Sequence, residues 1–430
     1  MTLQTRGCAL VACMLVAGCG GGTPGSLAPN PALRDSNAAP RSGSAGSLDP
    51  TFGNGGKVIV PVTAEPVAAI VTPDARIVLL GDTDSGGEVH VIRLLRNGKL
   101  DSSFGGAGIV TLNMYAAYAM TLQTDGKVLV GGIASDERHA ELVRLQADGR
   151  LDSTFGSSGV VAFAYLDGSS NGVFVAIEQP NGEIVAGGFA LSLSSDVELT
   201  SLARFDANGE PDTSFGANGI VTLKLVGGVT AIGLQSSGDI LVCGGPFDTS
   251  SALVARFRPD GTLDPNDKGG RLRILAHTGS LTFEGANEFD LTGRLLRWTT
   301  VAKKHGEDVR VLGLLRDQSR DPNFHSRPFA FESPLENEPH DVEIAANGDL
   351  LVAGEGSQGS GGAVFGLARL LGNGALDGSF GNRGRVVTQF AGDAAATALA
   401  IAPDGKIVAA GSLSTGGSGE SLAVARYLSH

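Results

Sequence analysis

The chain has 430 residues, 64 of them glycine, with 18% charged residues and a formal charge of −13. Glycine at this level without a Gly-x-y period excludes collagen, and a negative balance with no basic run argues against a nucleic-acid partner, since phosphate binding needs clustered Lys and Arg. No apolar stretch after residue 20 approaches bilayer-spanning length; the Val, Ile and Leu runs between turn residues point instead to an all-β chain.

From the amino terminus, residues 1–18 read as a signal peptide, with Arg6 supplying the positive charge and Gly7 to Ala17 the apolar run. The segment ends in Leu15-Val16-Ala17-Gly18-Cys19, which resembles a bacterial lipobox. That resemblance implies lipid attachment at Cys19 and a mature chain beginning there. Cys8 and Cys13 would leave with the signal, and Cys243 stands alone in the apolar run Ile240-Leu241-Val242-Cys243-Gly244. A lone buried thiol behaves as a small hydrophobe, so no disulfide framework is expected. Residues 19–47, rich in Gly, Pro, Ser and Ala, cannot bury enough apolar surface to order themselves. They read as a flexible tether spanning about 30 Å on average. The expected location is the bacterial cell envelope, lipid-anchored to a membrane (the outer membrane preferred), facing periplasm or exterior.

Residues 48–430 carry one motif seven times. Its anchor, Leu48-Asp49-Pro50-Thr51-Phe52-Gly53, recurs with aspartates at 101, 152, 212 and 377, and in worn form at Asp264 and Asp321. Unit two displays the order of elements. Strand A is Ile109 to Leu112, B is Ala119 to Leu122, C is Lys127 to Val130 and D is Leu142 to Leu145. Asp125-Gly126 joins B to C and Asp148-Gly149 follows D; such steps between β-branched runs predict type I′ hairpin turns, with positive φ at both positions. Unit one has Asp74-Ala75 in that place, which should strain or reshape the turn. Strand B alternates small and large residues, as Ala398 and Ala400 against Leu399 and Ile401. That alternation suits a crowded position, so B is expected nearest the axis.

Four strands per unit and seven units predict a seven-bladed β-propeller of four-stranded antiparallel blades. The anchor, the Asp-Gly-Lys-[Ile/Val]-[Leu/Val]-[Val/Ala]-[Gly/Ala]-Gly segment and the Ala-Arg-[Leu/Phe] segment resemble the delta-60 repeat family of predicted bacterial β-propellers. The resemblance covers nearly the whole chain after the tether and departs in units five and six. It implies a fold and an envelope setting, but no reaction, substrate or catalytic residue.

The ring needs a seal, because an unpaired edge strand invites aggregation. The repeats begin with strand A at Lys57 to Val62 and end with strand D at Leu422 to Leu428. Blades of B-C-D plus the following A therefore leave the last blade one strand short, and the amino-terminal strand is expected to fill it. Arg93, Arg144, Arg204, Arg256 and Arg369 each precede an anchor aspartate by eight residues, with Gly313 the exception. Each Arg is expected to meet its Asp through charge-assisted hydrogen bonds, and Arg426 should meet Asp49 across the closure.

In this architecture the B–C turns and D–A corners share one uniform face. The A–B and C–D loops share a variable one: Asp82 to Glu88, Tyr165 to Gly172, Ala190 to Glu198, Ala276 to Asn287, Phe329 to Pro339 and Glu355 to Ala363. Recognition belongs on the variable face, since function lives on loops displayed by a rigid scaffold. His90, His139, His277, His305 and His340 fall on or beside those loops. Glu284, Glu288, Glu307, Asp308, Glu336, Glu338 and Asp341 stand near the last three in units five and six. No metal-ligand spacing or nucleophile motif accompanies them, so no catalytic, cofactor or metal residue is assigned. The expected function is a binding or interaction scaffold with a monomeric body, its partners the membrane through the lipid and a protein or glycan on the variable face. The alternative is an envelope hydrolase or lyase with its site near units five and six.

Overall fold

The computed structural model describes residues 43–430 apart from 84–87, 167–169, 193–196, 246–252, 265–286, 290–293, 304–305, 316–318, 332–336, 358–361 and 417–419. The described residues form 26 β-strands in seven antiparallel sheets, five of four strands and two of three. The first sheet is β2 (Glu65–Val71), β3 (Ile77–Asp82), β4 (Val89–Leu94) and β5 (Ile109–Leu112). The second is β6 (Met114–Leu122), β7 (Val128–Ala134), β8 (Ala140–Leu145) and β9 (Val160–Phe163). The third is β10 (Ser170–Glu178), β11 (Ile184–Ser192), β12 (Val197–Phe205) and β13 (Ile220–Val226). The fourth holds β14 (Gly228–Leu234), β15 (Ile240–Gly245) and β16 (Leu253–Phe257); the fifth holds β17 (Asn287–Phe289), β18 (Leu295–Lys303) and β19 (Gly306–Leu314). The sixth is β20 (Asn337–Ile344), β21 (Leu350–Ser357), β22 (Ala363–Leu370) and β23 (Arg385–Thr388). The seventh is β24 (Asp393–Ile401), β25 (Ile407–Ser414) and β26 (Ser421–Tyr427), and its fourth strand is β1 (Lys57–Thr63), from the start of the chain.

The five four-stranded sheets therefore follow the order B-C-D-A, and the fourth and fifth show B-C-D among the described residues. In β1 the register runs Lys57 opposite Ala425 through Val60 opposite Leu422. The B strands pack beside one another, β2 against β6 and β24, β10 against β6 and β14, β17 against β14 and β20. That places B innermost. The A strands contact their own D strand and form the outer edges.

Core packing lies between sheets, because each strand alternates its side chains to opposite faces. Leu79 and Ile92 point one way from the first sheet and join Ala398, Val408, Leu422 and Val424 of the seventh. Leu80 and Val91 point the other way and join Phe104, Val128 and Val130 of the second. The anchor phenylalanines Phe52, Phe104, Phe155, Phe215 and Phe380 are fully buried.

Two expectations are corrected. The hairpins are not type I′. In the B–C turn of unit two only Gly126 has positive φ, and the Gly126 amide donates to the Gln123 carbonyl. This is a type I turn closed by a left-handed residue, so one glycine suffices. Unit one keeps the same turn with Ala75 at φ 62°, and the strain is retained. The body also begins earlier than expected. Residues 43–47 supply the turn that the last D strand lacks: Gly46 (φ 83°) donates its amide to the Leu428 carbonyl at 2.8 Å, and the Leu428 amide donates to Ser47 at 2.9 Å. The Gly381 amide donates to Ala45 at 2.9 Å, as Gly53 does to Asn97 elsewhere.

Candidate functional site

The repeated anchor builds one corner. Arg93 Nε donates to Asp101 Oδ2 at 2.8 Å, its guanidinium reaches Ser103 Oγ at 3.1 Å and the Ala147 carbonyl, and it lies 4.5 Å from the Phe104 ring centre. The other Asp101 oxygen accepts from the Ser103 amide and hydroxyl. The same set recurs at Arg144–Asp152, Arg204–Asp212 and Arg369–Asp377. Each of these guanidiniums also reaches a carbonyl in the next unit, at Ala207, Pro259 and Ser429 respectively. Arg426 follows the pattern across the termini: Nε to Asp49 Oδ2 at 3.0 Å, a bond to the Arg96 carbonyl, and Phe52 at 4.6 Å. Arg256 pairs with Asp264. Each Arg thus meets its Asp, as the spacing predicts, and ties one unit to the next.

Gly313 breaks the series, but Asp321 is not left without its cation. Arg294, the residue before β18, donates to Asp321 Oδ2 at 3.2 Å and to the Gly372 carbonyl at 3.3 Å, and lies 4.9 Å from the Phe324 ring. Residues at this position already reach toward their corners elsewhere: Arg76 lies 3.4 Å from Asp101 and Lys127 lies 3.7 Å from Asp152. Unit five moves the guanidinium onto a neighbouring strand and keeps the corner. A Cβ on Gly313 would stand 2.8 Å from Phe324 Cγ, so that ring occupies the space beside the glycine.

The variable feature is a β-bulge in the innermost strand. The register slips at Val67 in β2, Tyr118 in β6, Phe174 in β10, Thr230 in β14, His340 in β20 and Thr397 in β24. The residue before each slip pairs with a strand-C glycine: Gly81, Gly132, Gly188, Gly244, Gly354 and Gly411. At five of these a Cβ would lie 1.8–2.0 Å from a strand-B carbonyl oxygen, so the glycine is what admits the bulge. Bulges re-aim side chains and gather beside binding sites. Here six equivalent, half-buried residues occupy one level of the innermost strands. Their identities differ while the scaffold repeats. Neighbours meet along this rim: Tyr118 and Phe174 rings are 5.1 Å apart, Phe174 stacks on Phe189 at 4.8 Å, and Thr397 Oγ1 donates to the Pro66 carbonyl at 2.7 Å.

In the sixth sheet the rim is polar. Asp341 accepts from the Val342 amide at 2.8 Å and from the Leu399 amide of the seventh sheet at 2.7 Å. Burial pushes its carboxyl up to about 7 against the pull of those amides. His340 Nε2 is buried without a hydrogen-bond partner, and burial pushes the imidazole down to about 4. Trp298, from the fifth sheet, packs with Val342 and Phe331, and its buried Nε1 likewise lacks a partner. Gly131 and Gly187 hold the corresponding place in sheets two and three. A Cβ there would lie 2.7 Å from Val173 and Val229, the residues preceding the next bulges. The indole thus fills, at the junction of sheets five and six, a position that has no room for a methyl group in sheets two and three and that Leu80, Cys243, Ala353 and Ala410 hold in the others.

The remaining candidate residues are scattered. His90 bonds Thr111 and lies 3.4 Å from Glu88, while His139 bonds Asp136 within its own loop. His277, His305, Glu284 and Glu336 lie outside the described residues, as does much of the variable loops, and nothing is described of the Glu288 and Glu307 side chains. Asp308 is buried in β19. Among the described residues no three His, Cys, Asp or Glu side chains form a group able to hold a metal. No motif in the sequence points to Glu141, yet burial and the nearby Asp136 push its carboxyl up to about 7, and its Oε2 has no partner. A cavity of about 250 Å³ opens between the first and seventh sheets, lined by Val71, Ile77 and Val408 with Arg96, Asp404 and Lys406.

Repeating four-stranded antiparallel sheets, ordered inward to outward and joined by one recurrent corner, define a β-propeller repeat protein. The family comparison agrees. The model of the family described as a domain of unknown function (DUF5122) beta-propeller matches residues 72–104, 123–155, 179–215, 235–266, 345–380 and 402–429, which supports a β-propeller repeat family and leaves the fifth sheet unmatched. No curated protein matches the chain in sequence. Among solved structures, the β-propeller domain of the trilobed protease from Pyrococcus furiosus is 9% identical over 84% of this chain and 93% of that one, with a TM-score of 0.44. A gluconolactonase from Xanthomonas campestris is 12% identical over 92% and 99%, at 0.39. The aldose sugar dehydrogenase from Streptomyces coelicolor is 14% identical over 73% and 95%, also at 0.39.

Proposed function

We propose that this protein is a lipid-anchored binding propeller of the bacterial envelope. It is a ring of seven B-C-D-A blades, sealed by β1 and tethered from Cys19, which recognises its ligand at the inner rim on the variable-loop side. The carrying observation is the rim itself, where six equivalent bulges hold six places that the scaffold does not dictate. Support for the seal comes from β1 on β26, Arg426 on Asp49, and the joint packing of sheets one and seven. The lipid reading rests on the sequence ending at Cys19, and is tested by labelling cells with radioactive palmitate; Cys19→Ala should abolish incorporation.

Binding is tested by immobilising the mature chain against arrays of envelope glycans and peptides. Signals lost in a Phe174→Ala, His340→Ala double variant of unchanged circular dichroism support the reading, and signals it retains overturn it. One observation favours the second reading, an envelope hydrolase or lyase: Asp341 and Glu141 are both pushed up to about 7, where a carboxyl can exchange protons at neutral pH. Turnover of an array hit, lost in Asp341→Asn or Glu141→Gln, would decide for it.

A further inference from the structure

We infer that the cavity between the first and seventh sheets is a second binding site, for a small organic carboxylate whose apolar body enters it and whose anionic group meets Arg96. This goes beyond the rim reading, since the cavity lies among B–C turns and D–A corners and not among the variable loops.

The cavity arises from small side chains. The same place recurs at the junction of sheets two and three, where Glu178 spans it. That carboxylate accepts from Gln123 Nε2 at 3.1 Å and from the Thr124 amide at 2.7 Å. Between sheets seven and one the matching residues, by strand pairing and turn position, are Val71 and Ala402. Neither can bridge the gap, and a volume of about 250 Å³ is left. Ile77 and Val408 line it and are buried, so its depth is apolar. An apolar cavity of about 150 Å³ holds a benzene ring. This one has room for a phenyl-sized body with a short arm.

The charged part of the lining is mainly cationic. Arg96, Lys406 and Arg426 stand there with one carboxylate, Asp404, in a chain that carries −13 overall. The carboxylates around them are already engaged. Asp404 accepts from Lys406, Asp49 accepts from Arg426, and Asp74 accepts from Thr72 and lies 3.1 Å from Arg76. Arg96 is the exception. It is exposed, and among the described residues no hydrogen bond, ion pair or ring contact engages its guanidinium.

Arg96 also departs from the repeat. The carbonyl that receives the corner arginine belongs to Ala147, Ala207, Pro259, Gly372 and Ser429 at other junctions, and to Arg96 here. The corner uses only that carbonyl, so the scaffold does not require a charged side chain at this place. Lys406 departs as well. Its counterparts reach the corner carboxylate, Arg76 at 3.4 Å from Asp101 and Lys127 at 3.7 Å from Asp152, whereas Lys406 pairs with Asp404.

Together these features select a ligand. A cationic ligand would meet three like charges, and an inorganic anion would leave the apolar depth unfilled. A carboxylate matches the paired N–H donors of a guanidinium. A more highly charged phosphate would be repelled more strongly by Asp404.

The test is calorimetric titration of the full chain with benzoate and 3-phenylpropionate, and separately with benzyl alcohol, benzylamine, acetate and phosphate. Saturable binding is expected for the two aromatic carboxylates, with the other four at least about tenfold weaker. Arg96→Ala gives this junction the alanine found at Ala147 and keeps the carbonyl. It should weaken binding about tenfold and leave the midpoint of urea unfolding unchanged. Ala402→Gln introduces the residue type of Gln123 and should abolish binding by filling the cavity. Should that variant fail to fold, Lys406→Met serves in its place, with weakened binding expected. The inference is overturned if neither aromatic carboxylate binds, if benzyl alcohol binds as tightly, or if Arg96→Ala retains full affinity. Binding of phosphate or acetate alone overturns it too, and none of these results bears on the rim.

Discussion

Ala75 is the residue at which the repeat departs from its own rule most simply. Every other B–C turn described with this geometry has glycine at the left-handed position, and Ala75 takes φ 62° with a Cβ. A left-handed conformation costs a non-glycine residue about 1–2 kcal/mol. Part of the relief that glycine brings is lost because glycine also loosens the unfolded chain. Ala75→Gly is therefore expected to stabilise the protein by about 0.5–1 kcal/mol, read from the midpoint of urea unfolding. Arg294 makes the opposite case. It replaces an expected arginine from a different strand, at a pair whose side chains are 15% and 10% exposed. Arg294→Ala should cost about 1.5–3 kcal/mol, the range for a charge-assisted hydrogen bond. Restoring the pattern by Gly313→Arg should not rescue it, because Phe324 stands where the new side chain would start. Equal stability of Arg294→Ala and the double variant with wild type would refute this account.

At the scale of the element, strand C carries a signal that hydrophobic periodicity does not decode. The Val-Gly-Gly and Val-Ala-Gly runs are legible as strands, and the hairpins, the corner pairs and the B-C-D-A order all follow from spacing. The bulge does not follow, because a period-two pattern gives no sign of one extra residue. Its signal is the recurrent second glycine, as at Gly188 and Gly411, which has no reason to recur in an ordinary strand. Thr299 holds that place in unit five, and the family match is absent there. Arg294 is illegible for a different reason, since its corner is completed in space from another strand. The inner rim can be located from sequence only as a region of degenerate units, since His340 and Trp298 acquire meaning from what fails to surround them. Gly188→Ala tests the element directly. A Cβ 1.9 Å from the Gly172 carbonyl must displace backbone. The variant is expected to lose about 3 kcal/mol or more, beyond an ordinary overpacking cost of about 1–3. Gly126→Ala, with open space around it but φ 85°, should lose only about 1 kcal/mol.

At the scale of the whole molecule, the proposed ring makes the junction of sheets seven and one equivalent to every other junction, although its chain segments are hundreds of residues apart. The corner aspartates give this a pH signature. Burial pushes the carboxyls of Asp49, Asp101, Asp152, Asp212 and Asp377 up, but hydrogen bonds from the Thr or Ser two residues on, together with the arginine, hold each below the usual 3.8. A carboxyl with a depressed folded pKa contributes stability that is fully present above its unfolded value and lost as pH falls through the folded one. Stability should therefore hold down to about pH 4 and fall steeply below it, with five sites titrating together.

Asp49 decides whether the seam shares in this. Its side chain and that of Arg426 are 2% and 8% exposed, so removing the carboxylate leaves a guanidinium largely out of water. The pair lies just beneath the surface, which reduces the full buried-pair cost of about 3–5 kcal/mol to roughly 2–3. Asp152→Ala breaks the same contacts within one continuous stretch of chain, at 4% and 0% exposure. If the termini close the ring, Asp49→Ala and Asp152→Ala should cost the same within about 1 kcal/mol, and each should flatten the acid limb by one carboxyl. If the ring is open in solution, Asp49 already titrates as a free carboxylate. Asp49→Ala would then be near neutral while Asp152→Ala remains costly, and unfolding would begin by release of β1.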